Sequence, residues 1–185
     1  MFYPEGVHRD IQKVLIDEEV IQKRLKVLAE KITDDYDGKP MVVVALLKGA
    51  ILFMADLLRQ IPLPMEIECV NVASYHGGTQ SSGEVKFLDK AMPDVSGKAV
   101  LLLDDILDTG RTLDAVTKKL LELGAAEVKT CVLLAKDIER MVITDAHYTG
   151  FVVGNEFVVG YGLDFRGRYR NLPYVGVLKQ SITRL

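Results

Sequence analysis

Three carboxylates stand directly before a turn that suits an anion. Asp104, Asp105 and Asp108 lead into Thr109, Gly110, Arg111 and Thr112, and the five residues before them, Ala99 to Leu103, are all apolar. That run has the length and character of a buried strand, and the residues from about Arg111 to Leu123, closed by Gly124, read as a helix. A turn between the two presents first-turn amides that have no partner inside the helix. Together with the helix dipole and the conformational freedom of Gly110, they make a cradle for an anion. Thr109 and Thr112 add hydroxyl donors. The spacing fits neither GxxxxGK[ST] nor GxGxxG. The structural alternative is an ordinary helix start with Asp108 as its N-cap.

Other residues with chemical potential also follow apolar runs. Lys48-Gly49 comes after "MVVVALL", Lys136 ends "EVKTCVLLAK", and the segment from Val158 to Arg170 follows a β-rich piece. Stepping along the chain, Asp17 is the predicted N-cap of a helix whose apolar residues Val20, Ile21, Leu25, Leu28 and Ile32 recur at helical spacing. "DDYDGKP" breaks it, Met41 to Leu47 reads as a buried strand, about Ala50 to Arg59 as a helix, and Glu66 to Ala73 as the next strand. Residues 74–86, "SYHGGTQSSGEVK", concentrate Gly and Ser without apolar period and read as a long flexible lid or binding loop. "AEVKTCVLLAK", "YTGFVV", "FVVGYGLD" and "YVGVLK" are further β-rich pieces. Near-continuously apolar strands alternating with helices indicate a parallel sheet covered on both faces, with ligands beyond the carboxyl ends of its strands.

Composition bounds the function. The chain has 185 residues, 49% of them hydrophobic, and a formal net charge of −3, which suits one globular domain and leaves no basic footprint for nucleic acid. An anion must therefore be bound locally. Cys69 and Cys131 lie in apolar runs and read as small buried hydrophobes, and low cysteine use fits a reducing cytosol. "MFYPEGVHRD" is not a signal peptide. The apolar stretch from Met41 to Leu58 is not a membrane span, since Lys48 near its centre would cost ~2.5–3.5 kcal/mol on insertion scales.

The thirteen residues from Val100 to Thr112 resemble the phosphoribosyl pyrophosphate signature of the type I phosphoribosyltransferases. "LLKGAILFMADLL", "SYHGGTQSSGEVK", "LLAKD" and "FVVGYGLDFRGRYRNLPYVGVL" are similar, in order and spacing, to the hypoxanthine-guanine phosphoribosyltransferases. Asp104-Asp105 stands where many relatives carry Glu-Asp and keeps the charge, and Phe165, where a tyrosine is common in animal relatives, leans toward the bacterial branch. The resemblance implies an α/β, Rossmann-like twisted sheet, mainly parallel, with helices on both faces. It further implies a core of about residues 36–152, a small hood from about 1–16 and 153–185, and a lid at 74–86.

The implied reaction moves phosphoribosyl from its pyrophosphate to N9 of a 6-oxopurine and needs Mg2+. Lys48, Gly49 and Arg170 are implied to hold pyrophosphate, Thr109, Gly110, Arg111 and Thr112 the 5′-phosphate, and Asp104 and Asp105 the ribose hydroxyls. Carboxylates are natural acceptors for vicinal hydroxyls. Lys136, Phe157 and Val158 are implied to read the purine, Asp108 to act as general acid or base near N7, and Ser74 and Tyr75 to begin the lid. Asp164, with Asp104 and Asp105, is the implied metal set. Read without the resemblance, Lys136 is a solvated lysine and "FVV" strand core. A homodimer or homotetramer in the cytoplasm is implied, with no nucleic-acid or membrane partner. The alternatives are a xanthine-preferring transferase and an RNA-binding regulator of a pyrimidine operon on the same fold.

Overall fold

The computed structural model describes residues 9–74, 85–89, 91–138 and 145–183. Strand β1 (Ile11–Ile16) leads to Asp17, whose carboxylate accepts from the Val20 amide at 3.0 Å and starts helix α1 (Glu18–Tyr36). Ile21, Leu25, Leu28, Ile32 and Tyr36 line its buried face, whereas Val20, predicted to join them, is 42% exposed. Val20 sits in the first turn, one residue off the inward stripe.

Strand β2 (Met41–Leu47), helix α2 (Ile51–Leu58), strand β3 (Met65–Ser74), strand β4 (Val85–Phe87), strand β5 (Ala99–Leu107) and helix α3 (Arg111–Glu122) follow in turn. Then come β6 (Glu127–Lys136), β7 (Tyr148–Val153), β8 (Val158–Val159), β9 (Val175–Leu178) and the short α4 (Gln180–Thr183). Six strands form one sheet in the order β4-β3-β2-β5-β6-β7, parallel except for β4. β1, β9 and β8 form a second, antiparallel sheet.

The apolar runs are continuous because both faces of the large sheet are buried. Met41, Val43 and Ala45 of β2 pack with Leu101 and Leu103 of β5 under α1 and α2. Val42, Val44 and Leu46 pack with Val100 and Leu102 under α3. Successive side chains point to opposite faces, so a strand between two helix layers needs an apolar residue at every position. The small sheet has its own cluster, including Ile11, Val159, Leu172 and Leu178. Among the described residues no helix is long and apolar enough to cross a membrane, and Met41 to Leu58 divides into β2 and α2.

Two expectations need correction. The loop predicted over 74–86 is narrower, because Ser74 ends β3 and pairs with Val85, and Lys86 pairs with Ala73. Three residues, Val85 to Phe87, are too few to show an alternating period beside a Gly/Ser tract. Tyr75 and the rest of 75–84 lie outside the described residues. Cys131 is buried as expected, but Cys69 is exposed. The ladder to β4 reaches back only to Val72, so the first half of β3 lies beyond it, and Glu66 through Cys69 are exposed.

Leu133, fully buried in β6, tests the core. Leu133→Ala is expected to cost about 2–5 kcal/mol in urea unfolding, through lost burial and the cavity left behind. A loss under about 1 kcal/mol would mean that the surrounding layers collapse to fill the space.

Candidate active site

The order of the large sheet fixes where a ligand can sit. Chain order reverses between β2 and β5, which are neighbours although β3 and β4 intervene in sequence. A crevice opens beyond the carboxyl ends of parallel strands at such a switch point. Here those ends are Lys48-Gly49 after β2 and Asp104 to Asp108 at the end of β5.

The two segments touch. A Cβ added to Gly49 would lie 1.8 Å from Asp105 Oδ2, so a larger residue there would displace the carboxylate from its present position. The Leu47–Lys48 peptide is cis, and Lys48 is exposed at the rim. Asp104 Oδ1 accepts the Asp105 amide at 3.0 Å, and Asp105 Oδ1 accepts the Ile106 amide at 2.8 Å. Burial pushes both carboxyls above the ordinary carboxylate range, and for Asp104 the adjacent Asp105 charge pushes in the same direction.

Helix α3 does not begin on Asp108. Its N-cap is Gly110, in the left-handed region at φ 82°, with no side-chain cap. The structural alternative for Asp108 is thereby corrected. The glycine turns the chain two residues later than a cap by Asp108 would, leaving no side chain over the first-turn amides. One hollow of about 250 Å³ is lined here by Gly49, Asp104, Asp105, Asp108, Thr109, Gly110 and Thr112.

A second hollow, of about 230 Å³, shares Asp105, Ile106 and Asp108 with the first. It adds Lys136, Phe157, Val158, Leu163, Asp164 and Glu156. Lys136 Nζ pairs with Asp108 Oδ2 at 3.0 Å; an ammonium has three donors, so it can hold Asp108 and face a further acceptor. Phe157 is 48% exposed and meets Phe165 edge-on, with centroids 5.5 Å apart. Its half-exposed ring can stack with a planar ligand.

Asp164 and Arg170 form a compact unit beside this hollow. Asp164 Oδ1 pairs with Arg170 Nη2 at 2.6 Å, and Asp164 Oδ2 accepts the Gly167 amide at 2.7 Å. Arg170 Nη1 donates to the Gly162 carbonyl at 2.6 Å. Lys48, Arg111 and Arg170 line neither hollow, and Ser74 lies in β3. Among the described residues no three His, Cys, Asp or Glu side chains form a ready-made metal cluster. Asp105 and Asp164 nevertheless line one hollow, and the Asp104-Asp105 pair is all oxygen, a donor set that suits a hard divalent cation. Sequence reading missed Glu156, which carries no motif, and gave no role to Leu163, which lies inside the quoted segment from Val158 to Arg170.

With this geometry in place, comparison with known proteins is direct. The family model described as "Phosphoribosyl transferase domain" matches residues 14–166. The hypoxanthine-guanine phosphoribosyltransferase of Streptococcus pneumoniae is 45% identical, over 95% of this chain and 98% of that one. A Staphylococcus aureus hypoxanthine phosphoribosyltransferase crystal structure superposes with a TM-score of 0.91 at 43% identity, covering 96% of each chain. The bifunctional protein TilS/HprT of Listeria innocua is 48% identical over 96% of this chain, which spans 28% of that relative's length. The chain belongs to the phosphoribosyltransferases and, within them, to the hypoxanthine-guanine phosphoribosyltransferase family.

The partly buried acid pair is a standing cost that substitution can relieve. Asp104→Asn keeps the acceptor for the Asp105 amide and removes one of two adjacent charges. Its melting temperature at pH 7 is expected to rise, by roughly 2–4 °C per kcal/mol relieved. A lower melting temperature would show that the charge pair is compensated within the fold.

Proposed function

We propose that the protein is a purine salvage enzyme that transfers 5-phosphoribosyl from its 1-pyrophosphate to N9 of hypoxanthine or guanine, releasing IMP or GMP and pyrophosphate. The observation that carries this reading is the pair of adjoining hollows sharing Asp105 and Asp108. One offers amides and hydroxyls to a phosphate and carboxylates to a ribose. The other offers an aromatic face and an ammonium to a base.

In the reaction the bond from C1′ to the pyrophosphate oxygen breaks, its electron pair leaves with pyrophosphate, and N9 forms the new bond to C1′. The purine gives up one proton. The uncapped start of α3, with Thr109, Gly110, Arg111 and Thr112, takes the 5′-phosphate. Asp104 and Asp105 accept from the 2′- and 3′-hydroxyls. Lys48, Gly49 and Arg170 take the leaving pyrophosphate. Lys136 donates to the purine O6, Phe157 stacks on the ring, and the Val158 backbone reads its edge. Asp108, beside Lys136, accepts or returns the purine proton near N7.

Positive charge develops at C1′ in this displacement, and the neighbouring carboxylates stabilise it. Asp164, with Asp104 and Asp105, would hold Mg2+, which when bound neutralises charge on the pyrophosphate. Ser74 and Tyr75 lead into the segment that would close over the centre and exclude water. A cytoplasmic homodimer or homotetramer acting on small molecules, without nucleic-acid or membrane partners, belongs to the same reading.

An assay with phosphoribosyl pyrophosphate, Mg2+ and hypoxanthine, guanine, xanthine or adenine tests it. Hypoxanthine and guanine are expected to turn over, with adenine disfavoured by roughly 10⁴-fold because its amine confronts the Lys136 donor. No turnover with any oxopurine refutes the reading, and xanthine as best substrate replaces its substrate assignment. Asp108→Asn is expected to lower kcat about 10²–10⁴-fold while the KM for phosphoribosyl pyrophosphate changes little. Equal effects on both would remove Asp108 from proton transfer.

A further inference from the structure

Three successive residues, Gly160, Tyr161 and Gly162, have φ of 97°, 50° and 102°. Two glycines adopt the left-handed region freely, but a tyrosine does not, so tertiary contacts must hold it there. Tyr161 is 3% exposed, and its hydroxyl donates to Asp56 Oδ2 of α2 at 2.5 Å. Gln22 Nε2 of α1 donates to the same oxygen at 3.0 Å, and Arg59 pairs with Asp56 Oδ1. The Tyr161 amide donates to the Leu172 carbonyl at 2.8 Å.

The consequence lies one residue further on. Gly162 donates its amide to the Arg170 carbonyl at 2.9 Å and accepts from the Arg170 guanidinium at 2.6 Å. Its backbone also abuts Gly49, since a Cβ on Gly162 would lie 2.0 Å from the Gly49 carbonyl oxygen. Gly162 is therefore wedged between Lys48-Gly49 and Arg170. Asp56 belongs to the helix that starts immediately after Gly49 and Ala50. The Asp56–Tyr161 bond thus ties that helix to the turn that seats Arg170.

We infer that Asp56 and Tyr161 are positioning residues that set the separation between Lys48-Gly49 and Arg170. The inference rests on the reading above of those three as the pyrophosphate ligands. Neither Asp56 nor Tyr161 lines either hollow, so both act through Gly162. Losing their bond loosens the pyrophosphate end of the site and leaves Lys136, Phe157 and Val158 unchanged.

Tyr161→Phe removes one hydroxyl and leaves Asp56 its bonds to Gln22 and Arg59. Steady-state kinetics of the full chain should show the KM for phosphoribosyl pyrophosphate raised about threefold or more, with the hypoxanthine KM unchanged. Calorimetric titration with magnesium pyrophosphate should weaken by the same factor, and it makes the comparison without turnover. Asp56→Asn, which keeps an acceptor for the hydroxyl, should lie nearer wild type than Asp56→Ala, and Asp56→Ala/Tyr161→Phe should be no worse than Asp56→Ala alone. The inference is overturned if Tyr161→Phe leaves both pyrophosphate readouts unchanged, raises both KM values in step, or lowers kcat alone as lost folded enzyme would. Wild-type protein that binds pyrophosphate but transfers nothing to an oxopurine contradicts the functional reading instead.

Discussion

The backbone of Gly49 passes so close to the carboxylate of Asp105 that a Cβ there would overlap it, and the remaining geometry depends on this contact. These residues lie at the ends of β2 and β5, where the sheet order reverses. With no side chain on Gly49, the two segments close to a distance at which a Cβ would overlap the Asp105 carboxylate. Gly162 then stacks on the other side of Gly49, and Arg170 is seated on Gly162. A line of backbone contacts therefore runs from the acid pair through the turn after β2 to the guanidinium. A side chain on Gly162 would meet the Gly49 carbonyl oxygen and force that line apart.

That arrangement is costly to hold. Two adjacent carboxylates are partly withdrawn from water, and Tyr161, Arg166 and Tyr169 have positive φ, each at about 1–3 kcal/mol. What offsets it is the large sheet, buried on both faces by α1 and α2 on one side and α3 on the other. Conformations disfavoured locally persist only where the surroundings over-determine them, and here the chemistry stands on that frame.

Legibility followed the length of each pattern. β2, β5, β6 and α1 were visible because five or more apolar residues share one period. β1 was not seen: its pairing with β9 slips twice, at Ile11/Lys13 and Val14/Ile16, so no clean alternation survives. β4 was absorbed into a predicted loop because three residues define no period. Cys69 was placed inside because its run is apolar, yet its strand reaches past the ladder that its outer neighbour provides. In the site, Asp104 to Thr112 was readable as one contiguous string. Glu156 was not, since its place depends on strands that return from elsewhere.

The sequence by itself determined the local chemistry: an apolar strand ending in acids, a glycine turn with threonines beside it, and lysines following two other strands. These are properties of short contiguous segments, and their periodicity and residue types are enough to specify them. Tertiary structure alone decided which strand ends became neighbours, and hence that Asp108 faces Lys136 and that Gly162 separates Gly49 from Arg170. The same holds for the bond from Asp56 to Tyr161, which spans 105 residues. Such contacts are set by how helices and sheet layers pack, and no spacing along the chain records them.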